Sequence, residues 1–241
     1  MIRGLQIALV FLTAISGCAK KATTISAATG NITGTTKTMT DSLTYLALGD
    51  SYTIGEAVMQ NESFPYQLSN ALTLASIPVG HPTIIATTGW TTDNLINAIA
   101  NSGITHKKYD FVTLLIGVND QFQGLSQSNY QVKFTQVLNT AINLANGDTT
   151  RVYVLSIPDY GVTPFAGGND SVIGPQIDQF NAINKAESLK AGVHYSNITD
   201  ISRQAASDPS LIAPDGLHPS GKMYGLWVQR IEPLIATQLK R

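Results

Sequence analysis

The sequence has little charge, no extended basic run and almost no cysteine. Only 13% of its 241 residues are charged, and 15 Lys and Arg nearly balance 16 Asp and Glu. A net charge of −1 gives no positive field for nucleic acid, so we expect no nucleic-acid partner. The single cysteine, Cys18, excludes an internal disulfide framework.

The chain also lacks an obvious membrane-spanning segment at its start. Residues 5–14 are apolar and follow the short positive start Met1–Arg3, but a spanning helix needs ~20 apolar residues. This pattern is typical of a secretory signal peptide. The Ile-Ser-Gly-Cys sequence that ends at Cys18 resembles the bacterial lipobox. It predicts a signal peptide over residues 1–17 and a lipid on Cys18, and the alternative is ordinary signal cleavage.

A lipid on Cys18 would place the protein in the cell envelope, attached to a membrane by its N-terminus. Ala19 stands where inner-membrane lipoproteins carry Asp, so family analogy favours the outer membrane. Residues 18–43 are rich in Thr, Ser, Ala and Gly without apolar periodicity, which predicts a flexible tether after the lipidated cysteine. The remaining residues, 44–241, form the predicted folded domain.

Short apolar runs alternate with longer segments of helical periodicity in this domain. The predicted strands are Tyr45–Leu48, Thr83–Thr87, Phe111–Ile116, Val152–Ile157 and Val193–Ile198. The predicted helices lie near residues 63–75, 92–100, 130–145, 176–191 and 220–239. Buried strands that alternate with helices indicate an α/β fold, a parallel sheet between two helical layers. In such a three-layer α/β/α sandwich the site lies beyond the carboxyl ends of the strands.

Chemically useful residues follow the first three predicted strands. The first strand runs into Gly-Asp-Ser at Ser51, the second reaches Gly89, and the third reaches Asn119. A serine hydroxyl can act as a nucleophile if a base activates it, and an asparagine amide can donate to an oxyanion. Each signal alone has a plain alternative, namely a helix cap, a turn glycine or an Asx turn. The serine is not in the G-x-S-x-G context of α/β-hydrolases, because Thr53 replaces the second glycine.

Asp215 and His218 supply the remaining signal near the end of the chain. Pro219 favours an extended backbone at His218. Asp215 could fold back across Gly216 and accept the Nδ1 proton of His218, which would leave Nε2 free to face a serine. The other histidines, His81, His106 and His194, have no such acidic neighbour.

Taken together, Gly49-Asp50-Ser51, Gly89, Gly117-x-Asn119-Asp120 and Asp215-x-x-His218 resemble the four sequence blocks of the SGNH/GDSL hydrolases, in the same order. The resemblance covers residues 44–240. It implies a flavodoxin-like sheet of five parallel strands in the order 2-1-3-4-5. It also implies an ester hydrolase that needs no metal and no cofactor. Tyr52, directly after the motif serine, departs from many members of the family.

The resemblance assigns roles to the motif residues. It implies a catalytic Ser51, His218 and Asp215, with an oxyanion hole formed by the backbone N–H groups of Ser51 and Gly89 and the side chain of Asn119. Asp50 is interpreted as structural, because its carboxylate can bind the local backbone of the Ser51 turn. Asp120 is interpreted as a turn residue or a support for the site.

The substrate is predicted only as a small acyl ester, for example a glycan O-acetyl group or a lysophospholipid. Acyl transfer to another hydroxyl could use the same groups. Aromatic and apolar residues near the motifs could bind an acyl chain or a sugar, or belong to the core; the candidates for the substrate pocket are Trp90, Ile54, Phe122, Tyr160 and Phe165. The rival hypothesis is a non-catalytic lipoprotein that binds glycans or lipids. The presence of Ser51, Asn119 and His218 favours the enzyme.

Overall fold

The structure is a computed structural model that describes residues 42–240. The predicted signal peptide, Cys18 and nearly all of the predicted tether lie outside these residues. The lipid anchor therefore stays a prediction, and membrane fractionation of a Cys18→Ala variant is the measurement that decides it. Among the described residues, no helix has both the length and the apolar character needed to cross a membrane.

Five strands form one parallel sheet in the order β2-β1-β3-β4-β5. Their bounds are β1 Tyr45–Gly49, β2 Thr83–Ala86, β3 Phe111–Leu115, β4 Val152–Leu155 and β5 His194–Ser196. The three central strands are buried throughout, and the two edge strands are half-buried. Both the α/β class and the strand order predicted from the sequence are confirmed.

Helices cover the sheet between and after the strands. Their bounds are α1 Ser51–Ile54, α2 Phe64–Leu74, α3 Thr92–Asn101, α4 Val118–Phe122, α5 Gln127–Leu144, α6 Asp170–Ala191, α7 Thr199–Ser202 and α8 Gly221–Leu239. Helices α2 and α8 pack against each other, and α5 packs against α3 and α6. With right-handed crossovers these two groups lie on opposite faces of the sheet.

The helix boundaries differ from the predicted ones where polar residues set them. Helix α5 begins three residues before the predicted start because the Ser126 hydroxyl accepts the N–H of Asn129 and caps it. Helix α6 begins at Asp170 and continues through Pro175, which removes one backbone hydrogen bond without ending the helix. The one-turn helices α1, α4 and α7 are too short to show apolar periodicity.

The order of the strands determines where a site can form. The chain moves from β1 to one neighbour, β2, and then crosses to the other, β3. Crossovers that leave a strand in opposite directions open a crevice at its carboxyl end. Here the crevice lies beyond β1, between the segments that follow β2 and β3.

Candidate active site

Ser51 is the first residue of α1, directly after β1. Asp50 caps this helix, since its Oδ1 accepts the N–H of Tyr52 at 3.0 Å. Gly49 lies so close to β3 that a Cβ would sit 2.4 Å from the carbonyl oxygen of Leu115. Only glycine therefore fits at the end of β1, and the chain turns there to place Ser51 at the crevice.

His218 is held on a small hairpin before α8. The backbone N–H of Ala213 donates to the carbonyl of His218 at 2.8 Å, and the N–H of Ser220 donates to the carbonyl of Leu211 at 2.8 Å. Ile212 forms an antiparallel bridge to Pro219 between these two bonds. These backbone hydrogen bonds lie within the hairpin, so they position the backbone of His218 independently of the sheet.

Asp215 lies at the turn of this hairpin and makes three hydrogen bonds there, two of them with His218. Its Oδ1 accepts the N–H groups of Leu217 and His218, each at 3.0 Å, and its Oδ2 lies 2.5 Å from Nδ1 of the ring. The sequence predicted that Asp215 folds back on His218, and the structure shows this contact. When Nδ1 carries the proton, Nε2 is the ring nitrogen free to accept another.

Partial burial by itself would raise the pKa of the Asp215 carboxyl. Hydrogen bonds from the His218 ring and from the backbone N–H groups of Leu217 and His218 outweigh that effect and hold the pKa below its ordinary value. Asp215 is thus an ionised acceptor near neutral pH. It can fix the orientation of the imidazole and stabilise its protonated form.

Gly89 and Asn119 reach the crevice from the segments after β2 and β3. Gly89 has φ +81°, in the left-handed region that glycine adopts without strain. The side-chain amide of Asn119 donates to the carbonyl of Trp90 at 3.0 Å. An amide has two N–H bonds, so a second donor remains for another acceptor.

A buried carboxylate joins these two segments. Asp120 accepts the backbone N–H of Thr92 at 2.9 Å and its hydroxyl at 2.6 Å. Burial raises the pKa of Asp120, although the bonds from Thr92 oppose that shift. On the other side, the Thr88 hydroxyl donates to Glu56, which follows α1. Together these bonds hold the Gly89 turn between α1 and α4.

Asp50 is in a very different environment from Asp215, although both lie near Ser51. It is 1% exposed, and its Oδ2 has no hydrogen-bond partner among the described residues. Burial raises the pKa of Asp50 to about 8, reinforced by the nearby Asp120 charge and opposed by the N–H of Tyr52. The local backbone contact agrees with the structural role predicted for Asp50.

Four motif residues, Ser51, Gly89, Asn119 and His218, line the same cavity, which has a volume of about 130 Å³. Within residues 42–240, no hydrogen bond joins the Ser51 hydroxyl to the His218 ring, and catalytic hydrogen bonds of this type often tighten only when substrate binds. Asp215 does not line the cavity itself, but it contacts His218, which does. The residues that form the wall are Ser51, Tyr52, Thr88, Gly89, Val118, Asn119, Phe122, Tyr160, Phe165, Leu217 and His218.

The predicted pocket residues divide into two groups. Phe122, Tyr160 and Phe165 line the cavity as predicted, whereas Trp90 and Ile54 do not. The left-handed turn at Gly89 presents the carbonyl of Trp90 to Asn119, and the indole packs against the hydrophobic core instead. Ile54 is the last residue of α1, at the end that leads away from Ser51.

Four wall residues were not predicted as site residues from the sequence. They are the direct chain neighbours of the motif residues, namely Tyr52, Thr88, Val118 and Leu217. Adjacency to a motif residue is the signal that could have found them. Tyr52 also packs edge-on against the His218 ring, with centroids 5.6 Å apart and planes at 64°.

The described part of the chain contains no cluster of three or more His, Cys, Asp or Glu side chains arranged to hold a metal ion. Two carboxylates of the motifs are instead engaged with protein groups. Asp215 binds His218, and Asp120 binds Thr92. The arrangement is suited to proton transfer and to hydrogen bonding of a developing negative charge.

Sequence comparison agrees with this geometry. Residues 47–226 match the GDSL-like lipase/acylhydrolase family, which covers most of the chain and all of the motif residues. The protein therefore belongs to the GDSL-like lipase/acylhydrolase family, the SGNH/GDSL hydrolases. It is an ester hydrolase by membership of that family. A search of curated protein sequences finds no match.

Solved structures share the fold across most of the chain. TesA superposes with a TM-score of 0.63 at 16% identity, covering 81% of this chain and 99% of TesA. The psychrotrophic esterase EstA from Pseudoalteromonas sp., in a structure inhibited by monoethylphosphonate, gives 0.57 at 18% identity, covering 82% and 94%. The acetylxylan esterase Axe2 from Geobacillus stearothermophilus gives 0.60 at 14% identity, covering 83% and 94%. At these identities the likeness concerns the fold alone.

Proposed function

We propose that the protein hydrolyses carboxylic esters through an acyl-enzyme on Ser51, with His218 as base and Asp215 as its partner. The observation that carries this proposal is the 2.5 Å contact between Asp215 Oδ2 and His218 Nδ1, on a ring that lines the same cavity as Ser51. In this contact Nδ1 carries the proton of the neutral ring and donates a hydrogen bond to the Asp215 carboxylate. Nε2 is then the basic nitrogen available to the serine hydroxyl.

In the first half-reaction the Ser51 Oγ attacks the ester carbonyl carbon while Nε2 of His218 takes the hydroxyl proton. The carbonyl π electrons move to oxygen, which becomes the oxyanion of a tetrahedral intermediate. The intermediate collapses, the bond to the alcohol oxygen breaks, and His218 returns the proton to that oxygen. A water molecule then repeats the sequence on the acyl-serine, releasing the carboxylic acid and Ser51.

The oxyanion is stabilised by the backbone N–H groups of Ser51 and Gly89 and by the free amide N–H of Asn119. These donors come from three different segments that meet beyond β1. The bonds of Asp120 to Thr92 and of Asn119 to Trp90 hold two of these segments together before substrate arrives. Donors that are already oriented cost little reorganisation when the charge develops.

The proposed substrate class is an acyl ester, such as a glycan O-acetyl group or a lysophospholipid. The family includes lipases and acylhydrolases. Structures with this fold include an acetylxylan esterase, which favours keeping sugar acetates among the substrates to be tested.

The decisive experiment is hydrolysis of p-nitrophenyl esters by the domain of residues 42–241 and by its Ser51→Ala variant. We expect kcat to fall by about 10⁴–10⁶ in the variant, as in other enzymes that lose the nucleophile of a triad. A serine-directed alkylphosphonate should label the wild-type domain at Ser51 and leave the variant unlabelled, as read by intact mass.

Ser210→Ala is a matched control, because Ser210 lies on the surface outside the cavity. It should retain the wild-type rate and label. Equal turnover by wild type and Ser51→Ala, or a phosphonate adduct on another residue, would refute the assignment. Absence of both turnover and label in the wild type would favour the binding-protein alternative.

A further inference from the structure

Three aromatic rings form a cluster on the wall of the catalytic cavity. Phe122 and Phe165 have ring centroids 6.1 Å apart, and Tyr160 lies 6.1 Å from the first and 6.4 Å from the second. Phe122 is the last residue of α4, whereas Tyr160 and Phe165 lie in the segment after β4. Two separate parts of the chain therefore converge to make one apolar surface beside Ser51.

The two phenylalanines are unusually exposed for side chains of their size. Phe122 is 57% exposed and Phe165 is 53% exposed, and they are the only aromatic residues among the large hydrophobic side chains exposed in the described chain. Tyr160 beneath them is 6% exposed. An exposed apolar patch at the rim of a cavity marks a surface that a ligand covers.

The rest of the cavity wall indicates the chemistry of that ligand. Within the described residues, no Lys, Arg, Asp or Glu lines the cavity, and Val118 and Leu217 add further apolar surface. Outside the catalytic groups, the side-chain polar groups on this wall are the hydroxyls of Thr88, Tyr52 and Tyr160, and that of Thr88 already donates to Glu56. A sugar ring needs several directed hydrogen bonds, so this wall favours an uncharged hydrocarbon chain over a sugar.

The size of the cavity limits the length of chain that it can enclose. Its volume is about 130 Å³, close to the ~150 Å³ of an apolar cavity that accommodates benzene. A group of about six carbon atoms therefore fills it. Carbons beyond that number would extend past the exposed rings of Phe122 and Phe165 into solvent.

The positions of the catalytic groups indicate which half of the ester lies there. The alcohol oxygen must reach His218 to receive its proton. Val118 and Phe122 flank Asn119 on α4, the element that supplies an oxyanion donor. A chain that contacts α4 while the carbonyl oxygen faces Asn119 is the acyl chain.

We infer that the Phe122–Tyr160–Phe165 cluster is an acyl-binding site that selects esters of unbranched, uncharged acids of about four to eight carbons over acetyl esters. This inference rests on the esterase function proposed above. It adds a substrate class and two specificity-determining residues, Phe122 and Phe165. Phe165 also connects the cluster to the hairpin that carries Asp215 and His218, because its backbone N–H donates to the carbonyl of Gly216 at 3.0 Å.

The test is the kcat/KM of p-nitrophenyl acetate, butyrate, hexanoate, octanoate and laurate, with wild type and a Phe122→Ala/Phe165→Ala variant. In the wild type we expect kcat/KM to rise by up to about fourfold per methylene as far as hexanoate, and then to level or fall. The double variant should lose about tenfold on hexanoate and less than twofold on acetate. Both rings are exposed, so the variant should keep its fold, which its melting temperature checks.

Leu189→Ala is the matched control, because Leu189 is 62% exposed and lies on α6 outside the cavity. It should reproduce the wild-type chain-length profile. A parallel series of alkyl acetates, with the alcohol lengthened instead of the acid, should show little length dependence. A strong preference in that series and none in the acyl series would overturn the acyl assignment.

Other results would also overturn it. A wild-type profile that is fastest on acetate, or a double variant that loses activity only on acetylated xylo-oligosaccharides, would favour sugar recognition by the rings. These outcomes differ from a failure of the esterase proposal itself. That failure would show as no turnover of any ester and no phosphonate label on Ser51.

Discussion

Two aspartates belong to the motifs around Ser51, the proposed nucleophile, and their surroundings make them different chemical groups. Asp215 is exposed at the turn of the hairpin, accepts three hydrogen bonds and has a lowered pKa. Asp50 is buried under the Ser51 turn, accepts one N–H, and has a pKa of about 8. Asp215 is therefore charged near neutral pH while Asp50 is largely protonated.

In the proposed mechanism, proximity to the nucleophile does not make an acid catalytic. Asp50 is the direct chain neighbour of Ser51, but its carboxyl makes no hydrogen bond to His218 and cannot orient the ring. Asp215 is distant from Ser51 in sequence and acts through a 2.5 Å contact to the imidazole. Hydrogen-bond donors, rather than chain distance, decide which carboxylate can support a developing imidazolium charge.

Substitutions of the two aspartates should differ most in their effect on turnover. Asp215→Asn should lower kcat by about 10⁴, because the amide can hold the wrong tautomer of His218 and cannot stabilise its charge. Asp50→Asn should stay within about tenfold of wild type, because Asn can also cap α1 by accepting the N–H of Tyr52. The measurement is kcat on p-nitrophenyl butyrate at pH 7.5.

Circular dichroism of both variants would confirm that they fold as the wild type does. A loss for Asp50→Asn as large as that for Asp215→Asn would break the comparison. It would mean that Asp50 takes part in the chemistry.

The next effect is on stability and its dependence on pH. Between pH ~4 and ~8 the Asp50 carboxyl is ionised in the unfolded chain and protonated in the fold. The folded state then binds more protons, so the free energy of unfolding decreases as pH rises, by about 1.4 kcal/mol per pH unit from this group. The contribution is complete below pH 4 and is lost by about pH 8.

Asp50→Asn removes this titration. The melting temperature of the variant minus that of the wild type should therefore increase from pH 5 to pH 9, whatever its sign at pH 5. Leu189→Ala, which changes an exposed side chain and removes no ionisable group, should show no comparable trend. A constant difference across the pH range for Asp50→Asn would show that Asp50 is already ionised in the fold.

The smallest effect concerns Tyr52, which connects the two regions. Its N–H binds Asp50, and its ring packs edge-on against His218 with centroids 5.6 Å apart. Such aromatic contacts contribute about 0.5–1.5 kcal/mol, so Tyr52→Leu should lower kcat by about 2–10-fold. Tyr52→Phe keeps the ring and should remain within about twofold.

The measurement is the separate determination of kcat and KM for both variants with p-nitrophenyl acetate, which leaves the aromatic wall largely unused. Recovery of kcat by phenylalanine but not by leucine supports a role in holding His218. If both variants lose activity equally, the tyrosine hydroxyl is the important group instead of the ring.

The sequence predicted the fold and the motif residues for one reason. Each strand end combines a buried apolar run with a polar or glycine residue, and parallel strands bring those ends together. The contact between Asp215 and His218 could also be predicted, because the two residues are close in the sequence. Residues 215–218 form it with little help from the rest of the domain.

The directions of individual side chains could not be predicted from the sequence. Trp90 follows a motif glycine, but its ring packs against the hydrophobic core and does not line the cavity. The bonds of Asp120 to Thr92 and of Thr88 to Glu56 join distant segments that carry no spacing signal. Such features depend on how the elements pack, which periodicity and residue type do not encode.

The hairpin that holds His218 also has a consequence for how the enzyme assembles. Its hydrogen bonds connect residues a few positions apart, so loop-closure entropy hardly delays them. Ser51 and His218, by contrast, come together only when the first strand and the segment before the last helix pack in the same domain. These two elements lie near opposite ends of the domain's sequence. We therefore expect recovery of esterase activity during refolding to lag behind recovery of helical signal. Activity is then a reporter of the last long-range contacts to form.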